Sequence, residues 1–325
     1  MCYNLHESIE EARRVETNEK QTKTESITEQ IEALKKEKDA VILAHFYTDD
    51  SVQALADYVG DSYYLSKIAT SVPNQVIVFC GVAFMGESAK LLNPEKTVLM
   101  PDLEADCPMA HMAKIAHIKA VRSGNDDVAV VCYINSTAEI KAASDVCVTS
   151  ANAVKVVKAL PQRYIYFIPD ANLGRFVAAQ IPEKIFIFNN GFCHVHTAIT
   201  KEGVMRAKKA HPESPILAHP ECREEVLALA DYAGSTSGIL RYAAESPVDS
   251  FIVCTEKGIL YPLQQENPSK HFYFVDGGQI CQDMKRITPQ KILNQLQTMT
   301  NVVTLDTSLS ANAGRALDQM LSLAK

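Results

Sequence analysis

"AHFYTDDSVQALADYVGDS", residues 44–62, begins where an apolar run ends and closes on Ser62, seventeen residues after His45. The run itself, "AVILAHF" from Ala40, is short, continuous and apolar, the pattern of a strand buried on both faces. "SVQALADYV" behind it reads as a helix. The arrangement occurs twice more. His45, Tyr133 and His219 each end such a run, at spacings of 88 and 86, and Ser62, Ser150 and Thr236 follow at the same offset. Cys80, Ile168 and Cys254 repeat in the next strand-like run, and Cys107, Cys193 and Cys281 close the pattern 86 and 88 apart. A period near 87 residues is too long for a solenoid. It predicts three related small α/β domains with parallel sheets, in pseudo-threefold arrangement around a central active-site cavity.

Nine apolar runs fill this frame: "AVILAHF", "QVIVFCG" and "KTVLMPD", then "VAVVCYI", "YIYFIPD" and "KIFIFNN", then "SPILAHP", "SFIVCTE" and "HFYFVDG". Helix-like stretches such as "ANAVKVVKAL" and "REEVLALADYA" separate them. The expected division is an N-terminal extension over 1–30, repeats over 31–107, 108–193 and 194–281, and C-terminal helices over 282–325 that pack back on the body. "ESITEQIEALKKEK" is the amphipathic helix of the extension.

The 325-residue chain has no run of about 18 apolar residues, so no membrane span is expected. Its polar, acidic start has neither a secretion h-region nor the acid-poor character of a transit peptide, which points to the cytoplasm. A net charge of −7 argues against nucleic-acid binding. Nine cysteines without any C-x-x-C suggest neither a disulfide framework nor a local zinc knuckle.

Polar residues just past strand C-termini line the crevice of a parallel sheet. His45 and Tyr47, Tyr133 and Asn135, and His219 and Glu221 fall there, one pair per repeat. Ser62, Ser150 and Thr236 each precede a helical pattern and read as N-caps. A lone Ser in such a place is more often a plain cap. Three at matched positions point to helix ends that bind carboxylate or phosphate. No Walker loop or G-x-G-x-x-G is present, so a nucleotide cofactor has no support. Cys107, Cys193 and Cys281 lie in polar, loop-like contexts that symmetry brings together. Three thiolates suit an iron–sulfur cluster with one iron left open, or a Cys₃His zinc site completed by His194 or His196. Spacing leaves both open.

The chain resembles the quinolinate synthase family, the A-type iron–sulfur enzymes of de novo NAD biosynthesis. The matching pieces include "ILAHFY", "GDSYYLS", "GVAFMGESAKLLNPEKTVLMPD", "YINSTAEIKAASDVCVTSANAVKVV", "FIPDANLGR", "GFCHVH", "HPEC", "AGSTSGI" and "CQDMKRIT", in family order over residues 41–288. The resemblance implies a [4Fe–4S] cluster on Cys107, Cys193 and Cys281. It implies condensation of iminoaspartate with dihydroxyacetone phosphate to quinolinate, with loss of phosphate and water. It implies substrate contacts at His45, Tyr47, Ser62, Tyr133, Asn135, Ser150, His196, His219, Glu221 and Thr236, with His45, Tyr47, His219 and Glu221 as the catalytic set. Iminoaspartate would come from L-aspartate oxidase or dehydrogenase. This chain departs from the family in having Asn189-Asn190 where a Trp often stands, Thr197 after His196, and no C-x-x-C at the third cysteine. No redox-switched disulfide is expected there. The rival readings are another iron–sulfur hydro-lyase acting on a small hydroxy acid, a cluster-bearing redox sensor without turnover, and a zinc or metal-free sugar-phosphate enzyme.

Overall fold

The computed structural model describes residues 26–275 and 279–325; residues 1–25 of the expected extension lie outside them. Three four-stranded sheets form the body. The first holds β1 (Ala40–His45), β2 (Tyr58–Gly60), β3 (Val76–Cys80) and β4 (Thr97–Leu99). The second holds β5 (Val128–Tyr133), β6 (Val146–Val148), β7 (Tyr164–Ile168) and β8 (Ile185–Phe188). The third holds β9 (Ile216–Ala218), β10 (Tyr232–Ala233), β11 (Ser250–Cys254) and β12 (His271–Phe274). The strand orders are β2-β1-β3-β4, β6-β5-β7-β8 and β10-β9-β11-β12, one topology three times. Every pairing within the sheets is parallel.

Each of the nine apolar runs contains a strand. The stretches read as helices after β1 and β9 are different. "SVQALADYV" holds only the end of the one-turn helix Asp50–Gln53 and then the start of edge strand β2, and "REEVLALADYA" contains Glu224–Leu227 and then β10. The cause is a carboxylate repeated at the head of each edge strand. The Ile42 N–H donates to Asp57 Oδ2 at 2.8 Å, while the Asp57 N–H donates back to the Ile42 carbonyl at 2.9 Å. Asp145 makes the same pair with Val130, and Asp231 with Ile216. A side chain that satisfies a strand N–H fixes the register of a pairing too short to fix itself. That register sets the height of the polar tips two to five residues on.

Burial is deepest in the central strands; β1 and β5 are buried throughout. One apolar core runs through the first and second sheets and takes in the C-terminal helices. The third sheet has a core on each face, one built around Leu217, Ile239, Phe251 and Leu263, the other around Val204, Ile216 and Ile252. Phe46, the residue after β1, inserts into the first of these. Helix Ile27–Glu37 opens with a capping box at Ser26 and packs against Pro289–Thr298. The long helix Thr307–Leu323 lies across Ala83–Leu92 of the first domain and Ala138–Ala142 of the second. No helix among the described residues is long and apolar enough to cross a membrane.

Candidate active site

The strand tips of the three sheets meet. One cavity is lined by His45, Tyr47, Ser62, Tyr133, Asn135, Ser150, His219, Glu221 and Thr236, which is every expected substrate residue except His196. Asp61, Met85, Thr149 and Met284 complete its wall. A second chamber adjoins it and shares Tyr47, Asn135, Glu221 and Met284 with it. His196 lines this second chamber together with Cys107, Cys193 and Cys281.

The expected caps are not caps. Asp61 is the N-cap of helix Ser62–Ser71, accepting from the Tyr64 N–H at 2.9 Å. Ser235 caps Thr236–Glu245 through the Gly238 N–H. Ser150 stands ahead of a helix that begins at Ala153, and Asn152 Oδ1 instead accepts the Thr149 N–H. At Ser62 and Thr236 the preceding short polar residue has the extended backbone that a cap needs. This leaves the hydroxyls of Ser62, Ser150 and Thr236 facing the cavity rather than their own helices. Asp61 also accepts from Ser237 Oγ at 2.5 Å, tying the first domain to the third above the site.

His45 and His219 use one device twice. The Tyr47 N–H donates to His45 Nδ1 at 3.1 Å, and the Glu221 N–H donates to His219 Nδ1 at 3.3 Å. A ring nitrogen that accepts carries no proton, so in the neutral ring the proton sits on Nε2. His219 Nε2 then donates to Ser150 Oγ at 3.1 Å. Burial pushes both imidazoles down to about 3, against the pull of Glu221. Both rings are therefore neutral at physiological pH, with Nε2–H as the free donor.

An unfolded histidine titrates near 6.5. Between that pH and about 3 the unfolded chain binds more protons at these two positions, so stability falls as pH falls. Each group contributes a slope of up to about 1.4 kcal/mol per pH unit. The melting temperature of the metal-free protein should drop from pH 7 to 5, and His45→Gln should flatten the drop. A profile that His45→Gln leaves unchanged would show that His45 is not buried neutral.

Among the described residues, Glu221 is the one carboxylate shared by both chambers. Burial opposes its charge, but the His196 ring beside it, which also hydrogen-bonds it, keeps its proton affinity below that of an ordinary carboxylate. Its Oε2 lies 2.8 Å from His196 Nδ1 and 3.4 Å from His219 Nδ1. Its Oε1 is buried without a partner, as is Asn135 Oδ1. A hydrogen-bonded chain leads away from it: His196 Nε2 to Thr255 Oγ1 at 2.9 Å, Thr255 to the Tyr47 hydroxyl at 2.8 Å, and Tyr47 to Thr236 Oγ1 at 2.9 Å.

Of the described cysteines, only Cys107, Cys193 and Cys281 line the chamber, and Cys80, Cys132, Cys147, Cys222 and Cys254 are buried in the sheets or beside them. Burial pushes the three chamber thiols up, Cys281 to about 11. Glu221 adds to this at Cys107 and Cys193, and the sulfurs repel as thiolates, Cys281 acting on Cys107 and Cys107 on Cys193. These three sulfurs become thiolates together only beside a cation. Cys193, His196 and Glu221 place ligand atoms within 4.8 Å of one another, a group able to bind a metal ion. The converging thiols and the two orphaned acceptors fit a metal centre. His194, the other expected zinc ligand, also lines the chamber but is exposed.

Sequence reasoning missed Asp61, Asp170, Thr255 and Glu256, and Lys285, whose Nζ donates to the Tyr47 carbonyl at 2.8 Å and lies 3.4 Å from Glu256 Oε1. Asp170 and Glu256 each stand two residues past a strand end, so the signal was the strand-tip rule applied to the third strand of each set. Thr255 was hidden as the residue following an apolar run.

Comparison with known proteins is consistent over nearly the whole chain. Residues 29–322 match the family model described as quinolinate synthetase A protein. A quinolinate synthase of Caldicellulosiruptor saccharolyticus is 48% identical over 92% of this chain and 99% of its own length. One from Fusobacterium nucleatum is 49% identical over 91% of this chain and 99% of its own. Quinolinate synthase 2 of Methanosarcina acetivorans is 48% identical over 91% of this chain and 96% of its own.

Proposed function

Since the chain belongs to the quinolinate synthase family, enzymes of NAD biosynthesis, we propose that its paired chambers condense iminoaspartate with dihydroxyacetone phosphate, releasing quinolinate, phosphate and water, beside a [4Fe–4S] cluster held by Cys107, Cys193 and Cys281. The carrying observation is that the polar tips of all three sheets and the three cysteines line two adjoining chambers whose shared wall includes Glu221 and Asn135, each with an unpartnered acceptor. An iron with an open position supplies Lewis acidity there. The partition into repeats 31–107, 108–193 and 194–281 belongs to the same reading. So do a cytoplasmic setting and a supply of iminoaspartate from an aspartate-oxidising enzyme.

Both substrates are anions, yet among the described residues lining the substrate cavity there is no Lys or Arg. Recognition falls to neutral donors: the Nε2–H groups of His45 and His219, the hydroxyls of Ser62, Ser150 and Thr236, and the N–H groups at the starts of Ser62–Ser71 and Thr236–Glu245. Helix ends and locked imidazoles bind carboxylate and phosphate without the strong retention of a cation, which suits a site that must release phosphate. Tyr133 and Asn135 orient substrate carboxyl groups.

Ring closure removes protons from carbon and delivers them to leaving oxygens. Glu221 is assigned that transfer, with His196, Thr255 and Tyr47 as the path by which a proton leaves it. The low proton affinity of Glu221 belongs to a cavity without substrate. Anions bound beside it raise that affinity, because a like charge favours the neutral carboxyl.

Ser150→Ala and Thr236→Ala should each raise KM for an anionic substrate roughly tenfold, the scale of one hydrogen bond to a charged group. Neither cap is removed, so melting temperature should change little. Unchanged KM with lowered stability would assign these hydroxyls to structure alone. The reading as a whole is tested by supplying both substrates to anaerobically reconstituted protein and measuring quinolinate by chromatography; a brown protein that forms none would favour the hydro-lyase or sensor alternative.

A further inference from the structure

Each cysteine loop is pinned to the sheet at one common point. The carbonyl two residues before each cysteine accepts a backbone N–H from the first residue of the helical turn after the third strand of its set: Ala83 to Ala105 at 2.8 Å, Ala171 to Gly191 at 2.9 Å, and Lys257 to Gln279 at 2.8 Å. The second and third loops have a further anchor. The Cys193 N–H donates to Asp170 Oδ2 at 3.2 Å, and the Cys281 N–H donates to Glu256 Oε1 at 3.1 Å. Asp170 and Glu256 hold equivalent positions past β7 and β11, and both are 0% exposed. Their other oxygens cap the adjoining helical turns, accepting from the Leu173 N–H at 2.7 Å and the Gly258 N–H at 2.6 Å. One carboxyl group thus joins scaffold and cysteine in each case.

The first domain lacks this. Its equivalent residue is Val82, whose side chain offers no acceptor. The Cys107 N–H is taken instead by Asp106 Oδ1 at 2.7 Å. Asp106 belongs to the same loop, so the bond moves with it. Its side chain is 43% exposed and meets His111 Nε2 at 2.6 Å, where water competes.

We propose that Asp170 and Glu256 are positioning residues that hold Cys193 and Cys281 in ligand geometry, and that Cys107 is the one compliant arm of the metal centre. This rests on the reading that these three cysteines hold a cluster. Two fixed arms set the position of the metal centre, and the third adapts as the centre is loaded or lost.

Asp170→Asn and Glu256→Gln keep shape but turn one acceptor into an amide donor, which cannot accept an N–H. At Asp170 the shorter capping bond keeps the remaining oxygen, so the cysteine bond is the one lost; at Glu256 the same turn of the amide also gives up the contact of Oε1 with Lys285 Nζ at 3.4 Å. In the metal-free, reduced chain, N-ethylmaleimide labelling read peptide by peptide should speed about tenfold at Cys193 in Asp170→Asn with Cys281 unchanged, the scale of one buried hydrogen bond. Glu256→Gln should do the reverse, and Asp106→Asn should change little at Cys107. After anaerobic reconstitution, iron should pass to a chelator about 10–100-fold faster in the first two variants. Equal acceleration at all three cysteines, or a lower melting temperature with no selectivity, would show plain helix caps and overturn the proposal. Should one variant not fold, the other carries the same reciprocal test. A wild-type chain that takes up no iron would instead overturn the cluster reading itself.

Discussion

Glu221→Gln should keep its iron and sulfide and lose quinolinate formation by about 10²–10⁴-fold, the usual worth of a group that moves a proton in the transition state. The side chain is buried, so the amide enters the same space, and its oxygen can still accept from His196 Nδ1, now 2.8 Å from Glu221 Oε2. What disappears is the charge and with it the basicity of the unpartnered Oε1, on the residue that lines both chambers. The loss should fall on kcat more than on KM, because Glu221 repels rather than attracts anionic substrates in the ground state. Tyr133→Phe is the contrasting change. It removes a hydroxyl that hydrogen-bonds Glu221 and should weaken binding more than turnover. Near-wild-type turnover by Glu221→Gln with an intact cluster would make Glu221 a structural carboxylate.

Cys107→Ser, Cys193→Ser and Cys281→Ser should each abolish the metal centre and, with it, detectable turnover. These three sulfurs share one chamber, and their thiolates repel without a cation. Cys80→Ala and Cys254→Ala are the controls. Both thiols are buried beside apolar neighbours at the ends of β3 and β11, where burial pushes them up, Cys254 to about 12. Ala serves better than Ser there, since a buried hydroxyl without a partner carries its own cost. The controls should lose some stability to the small cavity and keep full iron content. Loss of iron from either control would break the correspondence of the three cysteine loops.

The reach of the sequence can be judged residue by residue. The nine apolar runs were legible because parallel strands covered on both faces must be apolar throughout. The edge strands β2, β6 and β10 were not: at two or three residues they carry no period, and no longer run marks them as "KTVLMPD" and "SPILAHP" mark β4 and β9. What creates them is the Asp57, Asp145 and Asp231 carboxylates, whose role needs the fold to be seen. The strand-tip pairs were legible from position alone, since i and i+2 point the same way in extended chain. The caps were misplaced by one residue at Ser62 and Thr236, because Asp-Ser and Ser-Thr each offer two candidates and only backbone angles choose between them. His196 was expected beside the substrate and stands in the cysteine chamber, joined to the substrate cavity through Glu221. The neutral state of His45 and His219 was invisible, because it depends on burial and on a backbone N–H two residues away.

The most direct measurement is iron, sulfide and quinolinate on one anaerobically reconstituted sample. The account predicts about four irons and four sulfides per chain with a broad visible band near ~400 nm, and quinolinate and phosphate formed in equal amounts from iminoaspartate and dihydroxyacetone phosphate. Quinolinate formed at full rate by a zinc-loaded or metal-free chain would contradict it.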